Sequence, residues 1–420
     1  MGFLEKNTKL FFNKSFLSDV FLFLTIITYP FAHLFYKFTF LKAYVLFGAF
    51  FILLSFDIRK INLKTVYPLI MFVTFSFLTL FWSQELKSSI YGIIKLLFLL
   101  MFTLSLAAYL ENREKYIILG YAAASVNILV FIFVLINLFF KEGCDKFLYM
   151  YKHGLVHSGE GMFSEYIYKI FYQFPFLDSQ NATVTLIVSF LGIIIFVNLF
   201  IKKINYFFVF SVIVSIISLY LGLSKSAFLA MAVLMFFLFV AIILYKNKIL
   251  LLYFLIIIFT NLFIFIFNPF NFRNALINRF NIVKENKVKN IVKENKDSSI
   301  SSRVILWNYA YKFWKSHFLI GNGYEGLKQK YIDLHIDEHV SHPHNIYLKI
   351  LSEEGIIGFL IFLYLIGYML FFLIKHINVQ NIVLMGLLSA YLIRGIFGWQ
   401  LNELDIWIIF GLIFKEMENI

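Results

Sequence analysis

Charged residues are scarce in this chain, because Asp, Glu, Lys and Arg make up only 15% of its 420 residues. Soluble domains carry about 25% charged residues, so this composition excludes an ordinary soluble domain. Cysteine is nearly absent as well, and the single Cys144 cannot form a disulfide within the chain. The predicted fold therefore depends on no internal disulfide.

Long apolar runs take the place of charge, and 61% of the residues are hydrophobic. Runs of about 18 or more apolar residues predict membrane helices and are too long for the strands of a membrane barrel. The predicted fold class is an all-α polytopic membrane protein with about 12 transmembrane helices. The first run has no small-residue cleavage site, and we expect it to remain a membrane helix. The predicted segments are 17–35, 39–56, 66–83, 90–109, 116–140, 182–201, 205–222, 226–245, 249–268, 355–374, 381–398 and 404–416.

The distribution of Lys and Arg among the short loops predicts the orientation of the chain. Both termini fall on the more basic, cytoplasmic side, while segment 141–180 and a long loop fall outside. This rule explains most of the net charge of +13, so we expect membrane lipids and no nucleic acid as partners. The predicted order is about nine transmembrane helices over 1–268, the outer loop over 269–354 and about three helices over 355–420.

A short direct repeat opens the outer loop. The sequence NIVKENK occurs at 281–287 and again at 290–296, which is too short and too few for a solenoid. We interpret the repeat as an inserted basic spacer, with phosphate binding by its lysines as the alternative.

The second half of the outer loop has the pattern of an amphipathic helix. Ile305, Tyr309 and Phe313 lie at helical spacing on one face, and the many aromatic residues suit a helix on the membrane surface. Gly321 and Gly323 then predict a turn that ends this helix.

Several histidines lie between this helix and the next apolar run, in the sequence SHPHN. A neutral imidazole at His342 or His344 can accept a proton from a sugar hydroxyl at physiological pH. Asn345 can orient that imidazole or hold a hydroxyl, or alternatively cap the helix that begins there. His339 adds to a cluster that suits zinc, but the chain has no second cysteine and no H-E-x-x-H pattern, which disfavours a metal site.

Three cations near the predicted outer face are candidates for binding an anionic ligand. Arg303 opens the amphipathic helix, Lys225 lies between two apolar segments, and Arg394 lies near the end of a span. Placing an ionisable group in or beside a membrane span costs free energy. A residue of this kind is therefore a candidate for a functional role. The alternatives are snorkelling or a structural ion pair, and Glu403 or Asp405 can pair with Arg394.

Tryptophans near the predicted outer interface have two interpretations. An aromatic belt at the membrane surface accounts for Trp307 and Trp399 as interface anchors. Stacking on a sugar ring is the functional alternative for either residue.

The two stretches SSRVILWNYAYKFWKSHFLIGNGYEG and SHPHNIYLKILSEEGIIGFLIF resemble the O-antigen ligase and O-antigen polymerase superfamily of bacterial envelope glycosyltransferases. Members have an Arg and a Trp on a periplasmic helix, a G-x-G turn, a His-Asn pair, and Glu-x-Gly leading into a helix. Weaker similarities are FWS at 81–83, NAT at 181–183 and LSKSAFLA at 223–230.

The resemblance implies an inverting glycosyl transfer in the periplasm that needs no metal or other cofactor. The donor it implies is a glycan on undecaprenyl pyrophosphate. His344 matches the family histidine that activates the acceptor, with His342 as a second catalytic candidate, and Arg303 matches the loop arginine. Lys225 stands where many members have arginine, and lysine keeps the charge but loses the two-pronged guanidinium.

The resemblance leaves several functions open. The leading hypothesis is an O-antigen ligase whose acceptor is lipid A–core oligosaccharide. A polymerase that joins lipid-linked repeat units is the close alternative, and transfer to a protein hydroxyl is a third. A polytopic transporter or flippase is the alternative from another class, although the five prolines and the absence of an obvious inverted repeat disfavour it.

Overall fold

The computed structural model describes residues 14–31, 43–139, 180–222, 224–267, 299–334, 342–398 and 401–419. Within these ranges every regular element is helical. The α-helices are α1 (Lys14–Thr28), α2 (Ala43–Ser55), α3 (Leu63–Leu78), α4 (Leu86–Tyr109), α5 (Arg113–Phe139), α6 (Gln180–Ile201), α7 (Tyr206–Gly222), α8 (Lys225–Tyr245), α9 (Lys248–Phe267), α10 (Ser299–Ser316), α11 (Lys328–Ile332), α12 (Ile346–Lys375), α13 (Val379–Gly395) and α14 (Leu404–Glu418).

The predicted apolar segments all coincide with helices, namely α1–α9 and α12–α14. Among the described residues, seven helical stretches are long and apolar enough to cross a membrane by length and composition. The prediction of an all-α polytopic membrane protein is therefore confirmed, while the count of 12 spans stays a prediction. Most of segment 141–180, the NIVKENK repeat, His339 and Trp399 lie outside the described residues.

The last helix, α14, lies inside the bundle. Every residue from Leu404 to Phe414 is buried, and α14 packs against α4, α6 and α13. Thr103 donates a 3.0 Å hydrogen bond to the carbonyl of Trp407, which joins α4 to α14. A helix that is apolar on all sides is buried either in a protein core or in a membrane, and the described part of α14 is buried against other helices.

Helix α12 begins nearer the histidines than predicted. It starts at Ile346, whereas the predicted span starts at 355, and its backbone breaks at Gly355 with φ 69° and ψ −170°. The piece before the break carries Lys349, Glu353 and Glu354, all of them buried. Because these residues are charged, a prediction based on hydropathy did not include the first turns of α12.

Helix α10 packs against the start of α12 through a small core of its own. This core contains Leu306 and Ala310 from α10, with Tyr309 and Phe313 packed against it. The predicted face was wrong at one position, because Ile305 is 42% exposed and Leu306 is buried instead. The buried side of α10 is therefore shifted by one residue from the predicted face at this position. This side packs against α12.

Candidate active site at the start of α12

The histidine loop, residues 342–345, places two imidazoles side by side. The rings of His342 and His344 are both half-buried, with their centroids 4.4 Å apart. His344 has φ 51°, in the left-handed region that non-glycine residues seldom occupy. Such conformations persist where surrounding structure enforces them, and they concentrate at functional sites.

Asn345 caps α12. Its side-chain oxygen accepts hydrogen bonds from the backbone N–H groups of Tyr347 and Leu348, both at 3.0 Å. This satisfies two donors that a helix N-terminus leaves without intrahelical partners. The cap fixes the residue that follows His344 to the first turn of α12. A further contact from Asn345 to substrate stays a prediction.

Trp307 joins α10 to the histidine loop. Its indole Nε1 donates a 2.9 Å hydrogen bond to the carbonyl of Pro343. Arg303, which is half-buried, lies four residues earlier in α10, and residues at this spacing are neighbours on one helix face. The predicted cation, tryptophan and histidines therefore belong to one side of one assembly. The sequence predicted Trp307 as an anchor at the membrane interface. Its indole also makes a specific hydrogen bond within the protein.

The glycine turn, residues 319–327, docks on the break in α12 by backbone contacts. Gly323 N–H donates to the carbonyl of Glu353 at 2.7 Å, and Ile357 N–H donates to the carbonyl of Leu319 at 3.2 Å. A side chain at Gly355 would place its Cβ 2.3 Å from the oxygen of Leu319. The G-x-G and Glu-x-Gly motifs are thus two halves of one structural unit.

The FWS segment is the third part of this unit. Trp82 Nε1 donates to the carbonyl of Ile320 at 3.0 Å, and Gln84 Nε2 donates to Asn322 Oδ1 at 2.6 Å. Gly323 also lies so close to Ser83 that an added Cβ would come within 2.6 Å of it. The weak similarity at 81–83 therefore corresponds to a segment in direct contact with the glycine turn.

A buried polar network that sequence reasoning missed lies one turn into α12. Lys349 Nζ is 2.8 Å from Glu353 Oε1 and 3.3 Å from Glu325 Oε2. Asn402 Nδ2 donates to Glu325 at 2.9 Å and accepts at Oδ1 from the hydroxyl of Tyr324 at 2.6 Å. Burial, followed by the nearby carboxylates, raises the pKa of Tyr324 well above its ordinary value, so its hydroxyl stays protonated. The feature of the sequence that could have predicted this network is a lysine and a glutamate four residues apart in an apolar helix, Lys349 and Glu353.

Arg394 lies in an ion pair, the structural alternative raised by the sequence. It is only 2% exposed, and its Nη2 is 3.5 Å from Glu403 Oε2. Asp405 accepts a 2.6 Å hydrogen bond from Ser189 instead. A cavity of about 10 Å³ beside Arg394 and Tyr391 has room for roughly one water molecule. A role for Arg394 in substrate binding stays a prediction.

The end of α13 packs closely on the start of α12. Tyr347 donates a 2.8 Å hydrogen bond to the carbonyl of Leu392, and an added Cβ at Gly395 would lie 2.6 Å from Ile346. This places Arg394 on a helix adjoining the histidine loop.

Lys225 lies on a different helix from the other candidate residues. It is the half-buried first residue of α8, whose N-cap is Ser224.

The sequence match to a known family covers much of this assembly. Residues 210–363 match the family model described as O-antigen ligase. The matched range contains Lys225, Arg303, Trp307 and the histidine loop, and it ends within α12. Arg394 and the FWS segment lie outside the match. No curated protein matches the chain.

Proposed function

From the match of residues 210–363 to the family model described as O-antigen ligase, we propose that the protein belongs to the O-antigen ligase and O-antigen polymerase superfamily and is an O-antigen ligase. It transfers a glycan from undecaprenyl pyrophosphate to lipid A–core oligosaccharide by a metal-independent, inverting mechanism. The observation that carries this proposal is the hydrogen bond from Trp307 to Pro343, because it joins the arginine helix to the histidine loop.

His344 is the proposed general base. A neutral imidazole can take the proton of the acceptor hydroxyl as that oxygen attacks the anomeric carbon of the donor. The left-handed backbone at His344 and the cap at Asn345 support this role, because both restrain the backbone that carries the imidazole relative to α12. His342, with its ring 4.4 Å from that of His344, is the second candidate for the base.

Arg303 is the proposed ligand of the pyrophosphate leaving group. The guanidinium binds two phosphate oxygens at once, and a fixed cation stabilises the negative charge that develops as the glycosidic bond breaks. Lys225 is the proposed second cation, and as a lysine it supplies charge without the planar two-pronged geometry. Arg394, Asn345 and Trp307 complete the proposed substrate-binding set.

The proposed topology places this site at the periplasmic face of the bacterial inner membrane. In this arrangement 12 spans cross the bilayer, both termini are cytoplasmic and the loop 269–354 is periplasmic. The polyprenyl tail of the donor then stays in lipid while its sugars reach the histidine loop from water. The aromatic surface of α10, with Tyr311 52% exposed, is compatible with a position at the interface.

Polymerisation of repeat units is the alternative within the same superfamily. The basic residues of the long loop favour a phosphate-rich acceptor such as lipid A–core, and on this ground we propose the ligase. A deletion strain distinguishes the two functions by its surface glycan. Core that bears no glycan supports the ligase, while core that bears one repeat unit overturns it in favour of the polymerase.

The proposed base is tested in a reconstituted transfer assay. We expect His344→Ala to lower kcat by about 100-fold or more, the size typical of a lost general base. His317→Ala is the matched control, because His317 is an exposed histidine directly after the end of α10. Near wild-type transfer by His344→Ala, in protein that inserts normally, would remove His344 from the mechanism.

A further inference from the structure

A buried ion cluster, Lys349, Glu353 and Glu325, lies next to the histidine loop. Lys349 is 2% exposed, Glu353 is 1% exposed and Glu325 is 9% exposed. The backbone N–H of Lys349 donates to the carbonyl of Asn345 at 2.9 Å, so Lys349 lies within the turn that Asn345 caps. Its members are none of the residues proposed above to contact substrate.

Every carboxylate oxygen in the cluster has a hydrogen-bonding or ionic partner. Lys349 Nζ contacts one oxygen of Glu353 and one of Glu325. The remaining oxygen of Glu353 accepts from the backbone N–H of Glu325 at 2.8 Å, and that of Glu325 accepts from Asn402 at 2.9 Å. The cluster therefore ties together three chain segments: the start of α12, the glycine turn and the residues before α14.

Glu325 shares an uncommon property with His344. Both are non-glycine residues with positive φ, 56° at Glu325 and 51° at His344. Glu325 is held by its N–H and by both side-chain oxygens. A conformation of this kind persists only where the surrounding structure over-determines it.

Stability alone is a poor explanation for this cluster. Buried ion pairs often stabilise a fold no better than apolar residues of the same volume, because removing charge from water is costly. Their hydrogen bonds, however, are directional and fix the elements that carry them in one arrangement. Here the fixed element is the first turn of α12, whose N-cap, Asn345, directly follows the proposed base His344.

We propose that Lys349, Glu353 and Glu325 are positioning residues, which set the register of the glycine turn on α12 and thereby the position of His344. This inference rests on the proposed transferase function. A displacement of about 1 Å at a reacting group can lower a rate by roughly 100-fold, so small shifts of the first turn of α12 are enough to matter.

A charge-free triple variant separates positioning from folding. Lys349→Met with Glu325→Gln and Glu353→Gln approximately keeps side-chain volume and removes the three charges of the cluster together. We expect a Tm close to wild type, a kcat lowered by about 10- to 100-fold and a donor KM changed by less than about twofold. Lys375→Met, at the exposed end of the same helix, is the matched control and should change nothing. A triple variant with wild-type Tm and wild-type kcat would overturn the proposal.

Amide hydrogen exchange gives a readout that does not depend on transfer. We expect faster exchange at residues 344–350 and 321–327 of the triple variant, with residues 186–201 of α6 unchanged. If wild-type protein shows no transfer but this pattern appears, the transferase proposal fails while the cluster still sets the loop. Exchange that is unchanged at both segments, or that rises throughout the protein, would overturn the positioning role.

Discussion

Trp307 donates the hydrogen of its indole Nε1 to the carbonyl oxygen of Pro343 at 2.9 Å. One helix turn separates Trp307 from Arg303, and one peptide bond separates Pro343 from His344. This contact therefore sets the spatial relationship between the proposed phosphate ligand and the proposed base. In a displacement reaction the leaving group and the nucleophile lie on opposite sides of the reacting carbon, so that relationship affects the rate directly.

Replacement of Trp307 by Phe removes the donor and retains an aromatic ring. We expect kcat to fall by about tenfold with little change in Tm, because a single hydrogen bond contributes only about 0.5–1.5 kcal/mol to stability while geometry at the site is lost. Steady-state transfer kinetics and thermal unfolding in detergent measure the two effects.

Trp314 provides the control for this substitution. It lies on the same helix, its ring centroid is 5.1 Å from that of Phe318, and its Nε1 has no hydrogen-bond acceptor among the described residues. Trp314→Phe should therefore leave kcat unchanged. Equal losses in the two variants would show that the ring, and not the bond to Pro343, is what matters.

Arg303 is expected to act on the donor more than on the acceptor. Loss of a charged hydrogen-bonding partner costs about 1.5–3 kcal/mol, so Arg303→Ala should lower kcat/KM for the lipid pyrophosphate by about 10- to 100-fold. Arg303→Lys should recover part of this loss, since it keeps charge without the two-pronged contact.

The assay for Arg303 varies donor and acceptor separately. Lys315→Ala removes an exposed cation from the same helix and should leave both kinetic constants unchanged. An unchanged donor KM and kcat in Arg303→Ala would exclude contact with the pyrophosphate.

Apolar periodicity predicted the helices well, because bilayer-spanning segments must satisfy their backbone within one helix. It was less informative where charge is buried by pairing. Lys349 and Glu353 look like loop residues in a hydropathy profile, yet they neutralise one another inside the protein. The start of α12 was placed too late for this reason.

The chemistry of the site was visible in the sequence, but its assembly was not. His344, Arg303 and Trp307 were all candidates from their residue types and their resemblance to a family. Their connections run through backbone groups such as the carbonyl of Pro343, which leave no trace in residue type. The same holds for the contact between Gly323 and Glu353, whose partners are 30 residues apart in sequence.

The glycine at the break in α12 occupies a backbone position that tolerates no side chain. Gly355 has φ 69° and ψ −170°, a conformation that costs a residue with a side chain about 1–3 kcal/mol. Its Cβ would also lie 2.3 Å from the carbonyl oxygen of Leu319, which accepts a hydrogen bond from Ile357. We expect Gly355→Ala to lower Tm strongly and to abolish transfer, because the glycine turn can no longer dock on α12.

Gly367 in the same helix makes this prediction specific. No heavy atom lies within 4 Å of a Cβ built there, and its backbone is helical, so Gly367→Ala should be neutral or stabilise the helix by about 0.5–1 kcal/mol. Thermal unfolding and transfer assays of the two variants, prepared in the same detergent, test the difference. Similar Tm shifts in both would mean that the loss at Gly355 reflects general intolerance of the helix to alanine. A large loss confined to Gly355→Ala would instead tie activity to the docking of the glycine turn.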